Sequence, residues 1–241
     1  MPTEFDAMDV AELTGIIVQT HQDPRRQRDA LSALARRERV ERNSRLIVVM
    51  QYVLKYPDRY NLELMTRVID ILATDPHPDA TTAMIELLPD IVTPVIDGTE
   101  GVSEGFRQYF YEALMTRQRD EDLEVWRDML PALDPKTLVA LIADPASDGR
   151  LDDLDPMTLV DRLEEPNRTK ALIYVIASVA KTGASTTNIA QACERLMNSH
   201  SRVHLEQGCE VLRKQQKRAR QAGDREQAQV LDVALAQIER A

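Results

Sequence analysis

Helical spacing of apolar residues is the feature that most constrains the fold. Apolar side chains recur three and four positions apart through almost the whole chain, and no segment alternates cleanly between apolar and polar residues. Such spacing puts side chains on one face of an α-helix. Glycine, which sheets and phosphate-binding loops need at their turns, occurs eight times in 241 residues, about half the usual share of roughly 7%. The sequence therefore predicts an all-α protein.

Caps and breakers predict where the helices start and stop. An Asp side chain accepts a hydrogen bond from a free amide of the first turn, and a following Pro has no amide to leave unpaired. Three Asp-Pro pairs precede helical patterns: Asp23-Pro24, Asp134-Pro135 and Asp155-Pro156. Gly183 and Gly223 stand at expected helix ends. Pro89 and Pro94 predict that the helix over residues 78–97 kinks or splits.

Helices taken in pairs give hairpins that start near residues 24, 61, 101, 134, 168 and 201. Intervals of this length are typical of stacked two-helix repeats, because one hairpin cannot cover its own apolar face. We therefore expect an α-solenoid of five or six hairpins, with an irregular compact helical bundle as the alternative. Residues 1–241 are expected to form a single repeat domain, with a possible subdivision near residues 145–155.

Two segments resemble known helical repeats. Residues 22–40, QDPRRQRDALSALARRERV, resemble the opening helix of a HEAT repeat, in which Asp-Pro caps a helix that continues with Arg and then with Ala and Leu at helical spacing. Residues 211–239 resemble a tetratricopeptide hairpin with Gly223 at its turn, although Ala219 and Asp232 stand where that family has large aromatics. Both resemblances imply a helical scaffold for contacts with other proteins.

Charge is unevenly distributed along the chain. The net charge is −10, and residues 57–166 alone hold 25 acidic and 9 basic side chains. An acidic region of this size favours basic partners through long-range steering. The N-terminus lacks a secretory pattern, and the longest uncharged apolar run, residues 171–180, is well short of the ~18 residues that a membrane span needs. We expect a cytoplasmic protein without a membrane partner.

Two basic blocks support an alternative function, association with nucleic acid through phosphate contacts. The first lies within residues 25–45 and the second within residues 213–225. A solvated face on a repeat helix is the commoner use of such blocks, and aromatics do not interleave them. The basic residues chosen as candidate partner contacts are Arg36, Arg37, Arg213 and Lys217.

Aromatic residues cluster at 106–111 in a chain that has few of them. Phe106, Tyr109 and Phe110 share one helical face and are expected in the core. Tyr111 points away from that face. Burial in the core is the favoured interpretation for Tyr111 as well, and a place on a partner-binding surface, where aromatics are enriched, is the alternative.

An acidic stretch, DPASDGRLDDLD at residues 144–155, can be aligned with a twelve-residue calcium loop. Its candidate metal ligands are Asp144, Asp148, Asp152 and Asp155. Ala146 occupies a position that needs an oxygen ligand, and Asp155 is already explained as a helix cap. An acidic linker is therefore the favoured interpretation, and no metal or other cofactor is expected.

Enzymatic chemistry finds little support in the sequence. GVSEG at residues 101–105 matches a hydrolase elbow, but that elbow needs a buried strand before the serine, and the residues before it are polar. Ser103 is better explained as the start of a helix. Because no acid, base and nucleophile converge, we expect a non-enzymatic scaffold or adaptor that binds a partner protein or peptide.

Overall fold

The structure, a computed structural model, describes residues 4–19, 23–56, 62–99, 101–117, 120–147, 156–198 and 202–240. These residues form thirteen α-helices and three short 3₁₀ turns and contain no strand. The prediction of an all-α protein is confirmed. The helices are α1 Val10–Gln19, α2 Pro24–Ala35, α3 Arg39–Lys55, α4 Leu62–Thr74, α5 Asp79–Asp97, α6 Glu104–Met115, α7 Asp120–Met129, α8 Pro135–Ala143, α9 Pro156–Asp161, α10 Asn167–Thr182, α11 Thr186–Met197, α12 Arg202–Ala222 and α13 Arg225–Ile238. The 3₁₀ turns are Glu4–Ala7, Leu130–Ala132 and Pro145–Ser147.

Helix boundaries follow the local chemistry of the sequence. Helices α2, α4, α6, α8, α10 and α12 each begin within three residues of a predicted hairpin start. Asp23 accepts a hydrogen bond from the amide of Arg26 at 3.0 Å, and Asp224 accepts one from the amide of Gln227 at 2.9 Å. Gly183 ends α10 with a φ of 74°, in the left-handed region that glycine enters without steric cost. Caps therefore set these boundaries as expected.

Helix α5 runs unbroken through both of its prolines, so of the two predicted outcomes, a kink or a split, the split was wrong. Pro89 and Pro94 each remove one backbone hydrogen bond, and a proline in a helix interior costs about 3 kcal/mol. The same helix is apolar and well buried along one side, where Leu88 and Ile91 are fully buried. Burying each such side chain stabilises by roughly 1.5–3 kcal/mol. The packing of α5 thus offsets the cost of its prolines.

The chain divides into two compact units. The first comprises Met1–Ile91 and Glu100–Leu130, and the second comprises Val92–Thr99 and Pro131–Ala241. Helix α5 therefore contributes residues to both. The subdivision that the sequence suggested near residues 145–155 falls inside the second unit.

The first unit is built from α1 to α7. Helix α1 packs against α2 and α3, α3 packs against α4, and α4 packs against α6. Its fully buried side chains include Leu13, Leu34, Leu46, Val68 and Leu72.

A buried arginine holds the end of α4 in this unit. The side chain of Arg117 is 0% exposed and that of Asp122 is 2% exposed, and their charged groups are 3.0 Å apart. The hydroxyl of Thr81 donates to Asp122 and accepts from Nε of Arg117 at 2.7 Å. The guanidinium also donates to the backbone carbonyls of Leu72, Ala73, Asp75 and His77. It thereby supplies donors to carbonyls at and beyond the end of α4 that the helix itself leaves unpaired.

The second unit is arranged around α10. This helix packs against α8, α9, α11, α12 and α13, and α13 also packs against α11 and α12. Gly208 allows α12 to approach α10 closely, because a Cβ atom at that position would lie 2.8 Å from Cδ1 of Ile173. Helix α10 is therefore covered by other helices on most of its circumference. Its remaining face, which carries Tyr174, is exposed.

Candidate functional site

A groove of about 510 Å³ lies in the second unit between the end of α5, the start of α8 and the outer face of α10. This volume is within the range of about 300–1,000 Å³ that ligand pockets usually have. The groove is lined by Ile96, Asp97, Asp134, Pro135, Lys136, Val139, Asn167, Lys170, Ala171, Tyr174 and Ser178.

Helix α10 supplies one complete wall of the groove. Its lining residues recur at helical spacing and therefore share one face; they are Asn167, Lys170, Ala171, Tyr174 and Ser178. Other faces of α10 carry buried apolar residues such as Leu172, Val175, Ile176 and Val179. The packing that fixes α10 in the core also fixes the position of the wall, so the groove is preformed.

Tyr174 is the most prominent side chain of the groove. It is 55% exposed, although only 4% of the chain is aromatic. Beside it lie the buried Val139 and Ala171 and the half-buried Ile96, which form an apolar floor. An exposed tyrosine over an apolar floor combines a large contact area with a polar hydroxyl, as in the anchors of protein interfaces.

Both carboxylates that line the groove are already engaged. Asp97 forms an ion pair with Lys136, with 2.8 Å between Oδ2 and Nζ. Asp134 caps α8, accepting from the amides of Lys136 at 2.9 Å and Thr137 at 3.0 Å and from the Thr137 hydroxyl at 2.5 Å. Burial acts to raise the pKa of Asp134, but these hydrogen bonds outweigh it and hold that pKa below its ordinary value. Both carboxylates therefore have partners within the protein.

Three polar groups of the groove are left for a ligand. Within the described part of the chain, the Lys170 ammonium forms no ion pair, and the side-chain amide of Asn167 and the Ser178 hydroxyl form no hydrogen bond. All three lie on the wall of α10, beside Tyr174. The groove thus presents one uncompensated positive charge next to an exposed aromatic ring.

A second groove, of about 360 Å³, lies between α11 and α13. It is mostly apolar, with Ile189, Val230 and Val233 among its lining residues and Glu226 as its one charged residue. It has no unpaired cation comparable to Lys170.

The structure places the predicted partner residues Arg36 and Arg37 at the N-terminal 3₁₀ turn of the first unit. Arg36 pairs with Asp6 at 2.7 Å. The Arg37 guanidinium donates to the carbonyls of Phe5 at 3.0 Å and Met8 at 2.7 Å. Both side chains tie this turn to the end of α2, and their role in binding a partner stays a prediction.

Of the twelve other basic residues in the two blocks, six form ion pairs with described residues of their own unit. In the first block, Arg28, Arg39 and Arg42 pair with Glu63, Asp79 and Asp75 respectively. In the second block, Arg213, Lys214 and Arg220 pair with Glu239, Glu210 and Asp232 respectively. Lys217 is exposed and forms no ion pair with any described residue. The first block lies in the first unit and the second block in the second unit.

The alternative that places Tyr111 on a partner-binding surface was wrong. Tyr111 is 0% exposed, and its ring centroid lies 6.1 Å from that of Phe110 in an edge-on arrangement. The buried face of α6 is wider than the row formed by Phe106 and Phe110, so Tyr111, which lies next to that row, is buried as well. The expected core positions of Phe106 and Phe110 are confirmed. Tyr109 is half-buried, and its hydroxyl donates to the carboxylate of Asp70.

Three of the four candidate metal ligands, Asp148, Asp152 and Asp155, lie outside the described residues, so the acidic linker stays the prediction for this stretch. Asp144 is described and is fully buried. Its carboxylate accepts a hydrogen bond from the amide of Ala146 at 3.1 Å, within its own turn. In the described segments, no group of three His, Cys, Asp or Glu side chains is arranged to hold a metal ion.

None of the described helices is both long enough and apolar enough to cross a bilayer. Comparison with protein-family models, with curated proteins and with solved structures gives no match for this chain. The resemblance to HEAT and tetratricopeptide repeats therefore stays a prediction.

Proposed function

We propose that the chain is a non-enzymatic helical scaffold or adaptor that binds a segment of a partner protein in the α10 groove. The observation that carries this proposal is the exposed stripe of α10, with Tyr174 standing over a buried apolar floor. A preformed groove lowers the cost of ordering the binding surface. Asp97 and Asp134 already form contacts with other residues of the chain, which favours binding over catalysis in this groove.

A stack of helical hairpins is the architecture we propose for this scaffold. In the second unit, α8 packs against α9, α10 against α11, and α12 against α13, while α10 also packs against α8 and α12. Consecutive hairpins joined through their first helices are typical of α-solenoids. In such folds the faces that neighbouring hairpins leave uncovered serve as binding surfaces.

The size of the groove indicates how much of a partner it takes. From Asn167 to Ser178 the wall rises about 16 Å at 1.5 Å per residue, which matches about five residues of extended chain at roughly 3.3 Å each. A stable protein interface buries about 1,200–2,000 Å² in total. The groove is therefore the anchor for one short segment, and a tight complex needs contacts beyond it.

Nucleic-acid association, the alternative function, has less support. Six of the arginines and lysines in the two basic blocks pair with acidic side chains of their own unit, and Arg36 pairs with Asp6. These residues would have to give up those partners to bind phosphate. The net charge of −10 also repels nucleic acid at long range.

A photo-cross-linking experiment tests the proposed function. A benzophenone amino acid replaces Tyr174 in one variant and Val203 in a control; Val203 is 62% exposed on α12 and lines neither groove. After irradiation in the native cytoplasm and nuclease treatment, position 174 should give a discrete protein adduct that position 203 does not give. Equal labelling at both positions, or an adduct that nuclease removes, would contradict the proposal.

A further inference from the structure

We propose that the α10 groove selects an acidic peptide segment, in which an Asp or Glu side chain contacts Lys170 and an apolar side chain two positions away contacts Tyr174. This inference rests on the function proposed above and names the chemistry of the partner segment.

Charge complementarity is the first argument. Four charged side chains of the described residues line the groove, and three of them have partners within it: Asp97 and Lys136 pair with each other, and the Asp134 carboxylate accepts hydrogen bonds at the positive end of α8. Lys170 is the remaining charge, and no described residue forms an ion pair with it. A ligand that fills the groove must cover this ammonium. A carboxylate is the peptide group that compensates it.

Spacing is the second argument. Lys170, Tyr174 and Ser178 are four residues apart along α10, and each step corresponds to a rise of about 6 Å. In an extended peptide, alternate side chains point the same way and are about 6.6 Å apart. Consecutive same-side positions of a bound segment therefore meet the ammonium, the tyrosine ring and the hydroxyl in order. The expected sequence pattern is acidic, any residue, apolar, any residue, polar, in either chain direction.

The acidic character of the whole chain does not oppose this inference. At physiological ionic strength the Debye length is about 8 Å, so distant carboxylates are screened while a contact at Lys170 is not. Long-range steering by the net charge of −10 acts on the partner as a whole. A basic partner that carries one acidic anchor segment satisfies both conditions.

Selection from a random heptapeptide display library tests the inference and does not require that the partner protein be identified first. The library is selected in parallel on the full-length wild-type chain and on Lys170→Glu, Tyr174→Ala and Arg162→Glu. Arg162 is the control, since it is also an exposed cation of the second unit that forms no ion pair with any described residue, but it does not line the groove and is not a candidate partner contact. Far-ultraviolet circular dichroism of each variant confirms that it is folded before selection.

We expect wild-type and Arg162→Glu chains to enrich the same acidic, any residue, apolar pattern. Lys170→Glu should enrich lysine or arginine at the acidic position, and Tyr174→Ala should lose the enrichment. For a selected peptide measured by fluorescence anisotropy, Lys170→Gln should weaken binding about fivefold, the upper end for an exposed ion pair. Competition by a single-stranded oligonucleotide should have no effect.

Three results would overturn the inference: no enrichment on the wild type, no excess of acidic residues, or the same peptides enriched on wild type and Lys170→Glu. Displacement of the peptides by the oligonucleotide would overturn it as well. The proposed function and this inference can fail separately. A nuclease-resistant adduct at position 174 supports the scaffold function even if no acidic pattern is enriched. Absence of that adduct contradicts both proposals.

Discussion

Removing the buried guanidinium of Arg117 is the perturbation whose effect the structure predicts most firmly. The substitution Arg117→Met removes the ion pair between Arg117 and the Asp122 carboxylate, which is 2% exposed. It also leaves the carbonyls of Leu72, Ala73, Asp75 and His77 without this donor. Breaking a buried ion pair from one side costs about 3–5 kcal/mol, so we expect the free energy of unfolding of the first unit to fall by that amount.

Two companion variants separate the parts of this effect. Arg117→Lys keeps the charge but loses the planar fork of donors, and it should cost less than Arg117→Met. The double variant Arg117→Met with Asp122→Asn removes both charges. The double variant should be more stable than the summed losses of the two single variants imply, with a coupling energy of about 1–3 kcal/mol. The reason is that the buried carboxylate of residue 122, which loses its ion pair in Arg117→Met, is absent from the double variant.

Urea unfolding followed by tryptophan fluorescence is the assay. Trp126 is the only tryptophan of the chain, is 3% exposed, and lies in α7 of the first unit together with Asp122. Arg36→Ala is the control, since Arg36 is 58% exposed in its pair with Asp6 and such pairs contribute about 0.2–1 kcal/mol. A loss for Arg117→Met no larger than that for Arg36→Ala would refute the reasoning.

Burial, the hydrogen bond to Asp70 and the charge of Asp70 raise the pKa of Tyr109 to about 12. Phenolate absorbance should show a late-ionising tyrosine whose transition Asp70→Asn shifts toward lower pH. The stabilisation of the fold by the neutral Tyr109 hydroxyl, complete below about pH 10, should be lost as pH rises through 12. Burial raises the pKa of the Cys193 thiol to about 11 and also raises that of Cys209, so neither should react with Ellman's reagent at pH 8 until the chain is unfolded. Fast labelling of one thiol in the folded chain would contradict this. Gly208→Leu should destabilise the second unit by about 1–3 kcal/mol in urea unfolding followed by circular dichroism, because α12 has no room for the side chain against α10; unchanged stability would show that the helices are not in close contact there.

The sequence predicted the features that depend on local chemistry. Helix class, helix starts and caps such as Asp23 and Asp224 follow from interactions within a few residues. Features that depend on tertiary packing were left undecided. Tyr111 is buried because α6 is covered over a wide arc, and α5 continues through Pro89 and Pro94 because packing outweighs their cost. No local pattern distinguishes such cases.

The candidate groove was also missed, although part of its signal was available. Residues 167–178 read mainly as an apolar helix, yet Lys170, Tyr174 and Ser178 repeat at every fourth position within it. That spacing marks one polar stripe on a helix that is otherwise buried. The stripe becomes a groove because the end of α5 and the start of α8 pack beside it. This packing is set by the tertiary fold and could not be predicted from the spacing of residues along α10.

The central claim is that Tyr174 anchors a partner protein in the α10 groove. Isothermal titration of the purified chain with the protein cross-linked at position 174 tests it most directly, with Tyr174→Ala compared against Val203→Ala. We predict that Tyr174→Ala weakens binding at least about tenfold, as truncation of an aromatic anchor does, while Val203→Ala leaves the affinity within about twofold. Equal affinities for the two variants would contradict the claim.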